Sequence, residues 1–355
     1  MDTNTSKNLA ENTTKTSIQQ MPKIDLHRHL DGDVTSEVLL NLTKKDNVIL
    51  PAKNIEGLDN YFESLRNQGL ISLLQNGFGL ITSLMQSEEN LYTVGFEEAK
   101  NLAEDGIVYA EVRFAPQYHT GESTYYGHSK KNKMNYQEII KAVCCGLNDG
   151  QKKYGVKTKT IVCIGREAES ELGIKIAKAA IDCIDYGVVA LDLACDESTY
   201  PPERHKDAFL LTLNTPLKRT VHAGEFGNQI YKNIVTSIKE LHADRIGHAI
   251  SLAKYPDLID LVLEKEIGIE MNPKSNMYCG FIKNYHELRI NQLLFKNVLA
   301  TVNSDDPAIF GYTLSDVCFE MLGEISLEKL KKMQINAIKT SFLSREEKKE
   351  LQKLF

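Results

Sequence analysis

Eight short runs rich in Val, Ile and Ala recur along the chain, and most are followed by a longer segment whose apolar positions return at helical spacing. The runs are Lys23–His29, Ile107–Pro116, Lys157–Arg166, Val188–Glu197, Lys218–Glu225, Ala243–Ile250, Ile267–Pro273 and Asn297–Asp306. From the second onward they start 50, 31, 30, 25, 24 and 30 residues apart, close to the length of a strand–helix–strand unit. Amphipathic segments fall between them, at Glu97–Asp105, Tyr136–Tyr154, Ser170–Asp185, Tyr231–Leu241 and Tyr255–Glu264. Alternation of this kind predicts a parallel sheet, and eight units predict closure into an α/β fold, the (β/α)8 TIM barrel. An open, doubly wound sheet is the rival, but no G-x-G-x-x-G phosphate loop follows any of the runs.

The first interval breaks the rhythm. It spans 84 residues from Lys23 to Ile107 and carries helical patterns over Ser36–Lys45, Leu58–Gln68 and Leu70–Ser87. A helical insertion after strand 1 is expected there, over the barrel mouth, where lids commonly sit. Residues 1–20 are a polar Asn/Thr/Ser/Lys lead with no apolar stretch of the secretory kind, and they are expected to be a disordered tail. Residues 21–355 read as one barrel domain. Its last segment, Ser344–Phe355, is a charged helix opened by a Ser344/Glu347 capping box.

Composition narrows the partners. The formal charge of −6 argues against a nucleic-acid or anionic-membrane surface, both of which want a basic face. No run approaches the ~18 apolar residues of a membrane span. Seven scattered cysteines with no C-x-x-C pair read as reduced thiols, so a cytoplasmic setting is expected. No protein partner is implied.

Chemistry gathers at the C-terminal ends of the runs, where barrels of this type place their functional residues. The ends read His27-Arg28-His29, Asp196-Glu197, His222-Ala223-Gly224-Glu225, Arg245-Ile246-Gly247-His248 and Asn303-Ser304-Asp305-Asp306. On a strand, His27 and His29 share one face, so both imidazoles project together. With His222 and Asp305 they make three nitrogens and one oxygen, a plausible zinc set. Glu225, half shielded in such a mouth, would have a raised pKa and could donate a proton. His248 could steer or deprotonate a metal-bound water. His119, His128, His205, His242 and His286 fall on loops or helix faces and take no role.

In order along the chain, His27-x-His29-Leu30-Asp31-Gly32, Leu191-Asp192-Leu193-Ala194, His222-Ala223-Gly224-Glu225, Arg245-Ile246-Gly247-His248 and Ser304-Asp305-Asp306-Pro307 resemble the signatures of the adenosine deaminases. These form a branch of the metal-dependent amidohydrolase superfamily. The resemblance implies one catalytic Zn2+ per chain on His27, His29, His222 and Asp305, with Glu225 protonating purine N1 and His248 orienting the zinc-bound hydroxide. It further implies that Asp306 bonds N7 and that Asp31 contacts the ribose hydroxyls. The implied reaction is hydrolysis of adenosine, and of 2′-deoxyadenosine, to inosine and ammonia in purine salvage. Two rivals stay open: a deaminase of a modified adenine nucleoside, and a catalytically weak binding relative.

Where similar adenine deaminases usually read Glu and N6-methyl-AMP deaminases Asn, this chain has Asp31, which points to an uncharged nucleoside. Val188–Glu197 contains no lysine to bridge two metals, so a single metal is expected. Two departures stand out. Cys195 replaces the family's strand-4 glycine, whose N–H is associated with purine N3, and Asn272 replaces a usual cysteine before Pro273. Negative φ is expected at Cys195, with its thiol bordering the purine and open to alkylation that bound nucleoside would slow.

Overall fold

The computed structural model describes residues 14–43, 49–120 and 134–355. Eight parallel strands follow one another around the sheet in chain order. They are β1 (Lys23–His29), β2 (Ile107–Phe114), β3 (Lys157–Gly165), β4 (Val188–Ala194), β5 (Lys218–Ala223), β6 (Arg245–His248), β7 (Gly268–Met271) and β8 (Leu299–Val302). Each lies inside its expected run, and the residues trimmed from the ends form the loops that carry the site. The seam between β8 and β1 is closed past the end of β8. There the His29 N–H donates to the Asp305 carbonyl (2.8 Å), and the Asp305 N–H donates to that of His27 (2.9 Å). Backbone of three candidate metal ligands therefore closes the barrel. The TIM-barrel expectation holds.

The insertion after β1 is helical, as its periodicity requires. It comprises Ser36–Leu42, Ile55–Gln68 and an unbroken run of Leu70–Ser72, a π turn over Leu73–Phe78, and Gly79–Leu84. Expected as one helix to Ser87, that run stops early because Ser87 caps the next helix, accepting the Asn90 N–H at 3.2 Å. The following helix is Glu88–Glu104, nine residues longer at its start than its apolar stripe suggested. Residues 44 and 45 of the first expected insertion helix lie outside the described residues. Leu70, Leu74 and Phe78 of the insertion wall the barrel mouth.

The tail boundary needs correcting. Residues 1–13 lie outside the described residues, but Lys15–Gln20 is a helix capped by Thr14 and anchored by buried Ile18. Its end is held by Lys23, whose ammonium donates to the carbonyls of Ile18, Gln19 and Met21 at 2.9 Å each. A Lys15–Asp316 ion pair and a hydrogen bond from the Gln19 amide to the Glu104 carbonyl at 3.2 Å add to these, and together they order a segment whose composition reads as solvated. At the other terminus Ser344 and Glu347 form the expected capping box over Arg345–Gln352. No helix among the described residues is long and apolar enough to cross a membrane.

Candidate metal centre and active site

Four donor groups meet at the C-terminal mouth of the barrel. His27 and His29 come from β1, His222 from β5 and Asp305 from the turn after β8, and one ligand atom of each lies within 4.8 Å of the others. Asp305 Oδ1 is 3.2 Å from His27 Nε2 and 3.4 Å from His29 Nε2. The Nε2 atoms of His29 and His222 stand 3.2 Å apart.

Two of the rings have their orientation fixed from behind. His27 Nδ1 lies 2.7 Å from Glu270 Oε2, and His222 Nδ1 lies 3.2 Å from Asp192 Oδ1. A carboxylate can only accept, so both Nδ1 atoms carry the proton and both Nε2 lone pairs face the common point. His27 Nε2 is buried there without a hydrogen-bond partner. Lone pairs converging on a carboxylate oxygen are what a divalent cation compensates, and three nitrogens with one oxygen suit zinc. Burial lowers the pKa of His29 and His222, so these ligands stay neutral. Burial opposes charge on Asp305 too, but the His27 and His248 rings outweigh it and hold its pKa well below the usual carboxylate range. The set fits a metal ion.

Around these donors opens a pocket of about 470 Å³ that also takes in Asp31, Cys195, Glu225, His248 and Asp306. Every residue assigned a role from the sequence is therefore brought together. Burial, reinforced by Asp305 and Glu197, raises the Glu225 pKa well above its ordinary value against the opposing pull of Arg166. Its loop is clamped by Glu197, which accepts the N–H groups of Gly224 (3.0 Å), Glu225 (2.5 Å) and Phe226 (2.9 Å). His248 Nδ1 lies 2.9 Å from the Asn276 side-chain amide and 3.7 Å from Glu225 Oε1. Its other nitrogen lies 3.9 Å from Asp305 Oδ2, and burial lowers its pKa well below normal. Asn272, which replaces the usual cysteine, has its amide 3.3 Å from the same ring.

On the opposite wall, burial lifts the Asp31 pKa to about 6. Burial, together with the charges of Asp305 and Asp31, raises that of Asp306 well above the usual range. Gly32 makes this approach possible: a Cβ there would lie 2.0 Å from Asp306 Oδ1.

Cys195 departs from expectation. Its φ is +77°, in the left-handed region rather than at negative φ. The chain must turn sharply between the end of β4 and the Asp196–Thr199 turn, which explains a glycine preference here. The thiol does line the pocket, but it points to the Tyr118 hydroxyl at 3.2 Å, while that hydroxyl donates to Glu167 at 2.7 Å. Burial raises the thiol pKa far above normal, so the thiolate that alkylation requires is scarce. Left-handed backbone costs a non-glycine residue ~1–2 kcal/mol, which the Cys195→Gly change relieves against ~0.5–1 kcal/mol of added chain entropy. Its unfolding free energy in urea should thus stay within ~1 kcal/mol of the parent, whereas Cys195→Val should lose ~2 kcal/mol or more. Equal stability of the valine and glycine variants would refute the strain. His248, Ala249 and Asp305 also have positive φ, at 65°, 47° and 68°. Strained backbone thus clusters at the strand ends that carry the site.

Sequence reasoning missed Arg113 and Glu270 and gave Asp192 and Glu197 no role. The signal was present: a glutamate in Gly268–Met271 and an arginine in Ile107–Phe114 interrupt apolar strands, and each is wholly buried. His205, given no role, is a buried structural residue 3.1 Å from the Arg166 carbonyl. His119 is buried and His242 exposed, and neither lines the pocket. His286 is 88% exposed, and His128 lies outside the described residues.

A (β/α)8 barrel with three imidazoles and a carboxylate at its C-terminal mouth defines the class of metal-dependent amidohydrolases. Comparison with known proteins then gives the branch. The family model described as adenosine deaminase matches residues 22–354, so the chain belongs to the adenosine deaminase family and is a hydrolase of that kind. An adenosine deaminase from Clostridium acetobutylicum is 34% identical over 96% of this chain and 98% of its own length. Among solved structures, adenine deaminase from Arthrobacter aurescens superposes with a TM-score of 0.80 at 22% identity, covering 94% of this chain and 97% of that one. A zinc-bound amidohydrolase from Burkholderia ambifaria has a TM-score of 0.80 at 18% identity, covering 96% and 90%. At those identities the two structures speak for the fold.

Proposed function

We propose that this enzyme hydrolyses adenosine, and 2′-deoxyadenosine, to inosine and ammonia in purine salvage, with one zinc ion per chain held by His27, His29, His222 and Asp305. The observation that carries the reading is Glu225, a carboxyl buried in the same pocket as the metal donor set, with its pKa raised well above the ordinary value by burial. When bound, zinc supplies a Lewis acid that makes water nucleophilic near neutral pH.

The side chains divide the remaining work. Glu225 hands its proton to N1, which prepares C6 for attack by water. His248, kept neutral by burial, orients that water and accepts a proton from it. Burial and the neighbouring carboxylates raise the Asp306 pKa, which favours the protonated form as a hydrogen-bond donor to N7, an atom that can only accept. Asp31 accepts from the ribose hydroxyls. Water adds at C6, His248 passes the proton it took to the amino group, the C6–N bond breaks to release ammonia, and the remaining hydroxyl proton restores Glu225 as the C6 carbonyl forms. Deoxyadenosine presents the same C6, N1 and N7, so the same groups serve it.

The pocket's charge supports a nucleoside over a nucleotide. Asp31 and Asp196 line it beside the metal donor Asp305, and no lysine or arginine does among the described residues. A 5′-phosphate would enter against like charge with no partner. All seven cysteines are unpaired, which supports a reducing, cytoplasmic setting.

The test is loss of the adenosine absorbance band on a panel of adenosine, deoxyadenosine, adenine, AMP and N6-methyladenosine. Adenosine and deoxyadenosine should be turned over with the highest kcat/KM. A higher value for the methylated nucleoside, or for any nucleotide, would overturn the substrate assignment, and no turnover of any of them would leave a binding relative. Asp31→Ala should raise KM for adenosine ~10-fold or more, since a hydrogen bond to a charged group is worth ~1.5–3 kcal/mol. An unchanged KM would remove Asp31 from ribose recognition.

A further inference from the structure

We infer that Arg113 is a positioning residue that locks two of the metal-binding imidazoles, His27 and His222, through the carboxylates behind them. It stands on β2 with no solvent exposure. Its Nη1 donates to Asp192 Oδ2 and its Nη2 to Glu270 Oε2, both at 2.9 Å. Nη2 also donates to the Leu26 carbonyl on β1 at 2.6 Å. Glu270 Oε2 is the same oxygen that takes the His27 Nδ1 proton, and Asp192 is the carboxylate that takes that of His222. One guanidinium thus joins β1, β4 and β7 and, through Asp192, the ligand on β5.

The geometry asks for arginine in particular. Its planar fork can satisfy two carboxylates at fixed angles, whereas a lysine ammonium is a single point on a flexible stem. Glu270 has further support, since its Oε1 accepts from Arg245 Nε at 2.5 Å and from the Thr220 hydroxyl at 2.8 Å. Asp192 also accepts from the Leu193 N–H at 2.7 Å and the Cys163 thiol at 3.4 Å, but no other lysine or arginine among the described residues pairs with it, so Arg113 is its one guanidinium or ammonium partner. Without the fork, the two acceptors that fix both imidazole orientations lose their common anchor. The Nε2 lone pairs would then no longer be held on one point. His29 and Asp305 are not tied to Arg113, so the effect falls on half of the ligand set.

This inference rests on the zinc reading, and the experiment separates the two. Zinc affinity is measured by chelator competition for the parent, Arg113→Met, Arg113→Lys, Asp192→Asn and the double variant Arg113→Lys with Asp192→Asn, alongside the thermal midpoint of each metal-free protein. Parent enzyme that binds no zinc would defeat the zinc reading itself. With the parent binding zinc, Arg113→Lys should fold and bind it ~10-fold more weakly, and Arg113→Met up to ~100-fold, the range seen for groups that orient metal ligands. Asp192→Asn should weaken zinc binding less in the Arg113→Lys background than in the parent, because the two act through one contact. The assignment is overturned if Arg113→Lys keeps parental zinc affinity, if its only effect is a lower metal-free midpoint, or if the Asp192 and Arg113 effects are additive. Should Arg113→Met fail to fold, the lysine variant and the double-variant cycle decide.

Discussion

Zinc-loaded Glu225→Gln should bind metal as the parent does and turn adenosine over ~10²–10⁴-fold more slowly, the usual contribution of a general acid. Glutamine keeps the shape and can still donate an N–H to N1, but it cannot transfer the proton. The size of the loss follows from how the site prepares this group. Burial, Asp305 and Glu197 all push its pKa up, and Arg166 offsets them only in part. Next to it, burial pushes the His248 pKa down. Two neighbouring groups driven apart in this way sort themselves into proton donor and proton acceptor. The sign of the pH effect follows. An acid with a raised pKa holds its proton to higher pH than usual, and activity falls as pH rises through that pKa. That alkaline limb should be present in the parent and missing from Glu225→Gln. Turnover within tenfold of the parent in a metal-replete variant would take Glu225 out of the proton transfer.

The barrel and the residues of this site were legible because each left a local mark. Period and spacing marked the strands, and paired histidines at strand ends marked the candidate donors that the structure brings together. What could not be read was whatever depends on two distant strands meeting. Arg113 reaches Asp192 and Glu270 across the barrel interior, and nothing in Ile107–Phe114 announces that partnership. Glu197 sits beside Asp196 in the sequence, yet its two oxygens serve the loop after β5. Cys195 shows a different limit. A side chain says little about φ when the surrounding turn dictates it, and here the structure imposes +77° on a residue that would avoid it. The Lys15–Gln20 helix shows a third, because it is held by Lys23, by burial of Ile18 and by contacts of Lys15 and Gln19 with Asp316 and Glu104, far away in the sequence.

Exhaustive chelation should abolish turnover, and one equivalent of zinc should restore it. Three imidazoles and one carboxylate within 4.8 Å are enough donors for one tetrahedral ion. A second ion would need a bridging anion, and β4, from which such a bridge would come, offers no lysine between Val188 and Ala194. Asp192 and Glu270 are not free to serve, since each is already committed to a ring N–H and to Arg113. Removing the ion should also be visible in stability. An ion that binds only the folded chain stabilises it by ~4 kcal/mol when its free concentration is ~1,000-fold above Kd. The metal-free protein should therefore unfold at lower temperature while keeping the far-ultraviolet signature of the barrel, because β1 and the turn after β8 are still joined by backbone hydrogen bonds at the seam. Elemental analysis should find one zinc per chain in active protein. Two tightly held ions per chain, or full activity after chelation, would sink the single-zinc site. Loss of activity that cobalt or manganese restores better than zinc would keep the site and change the metal.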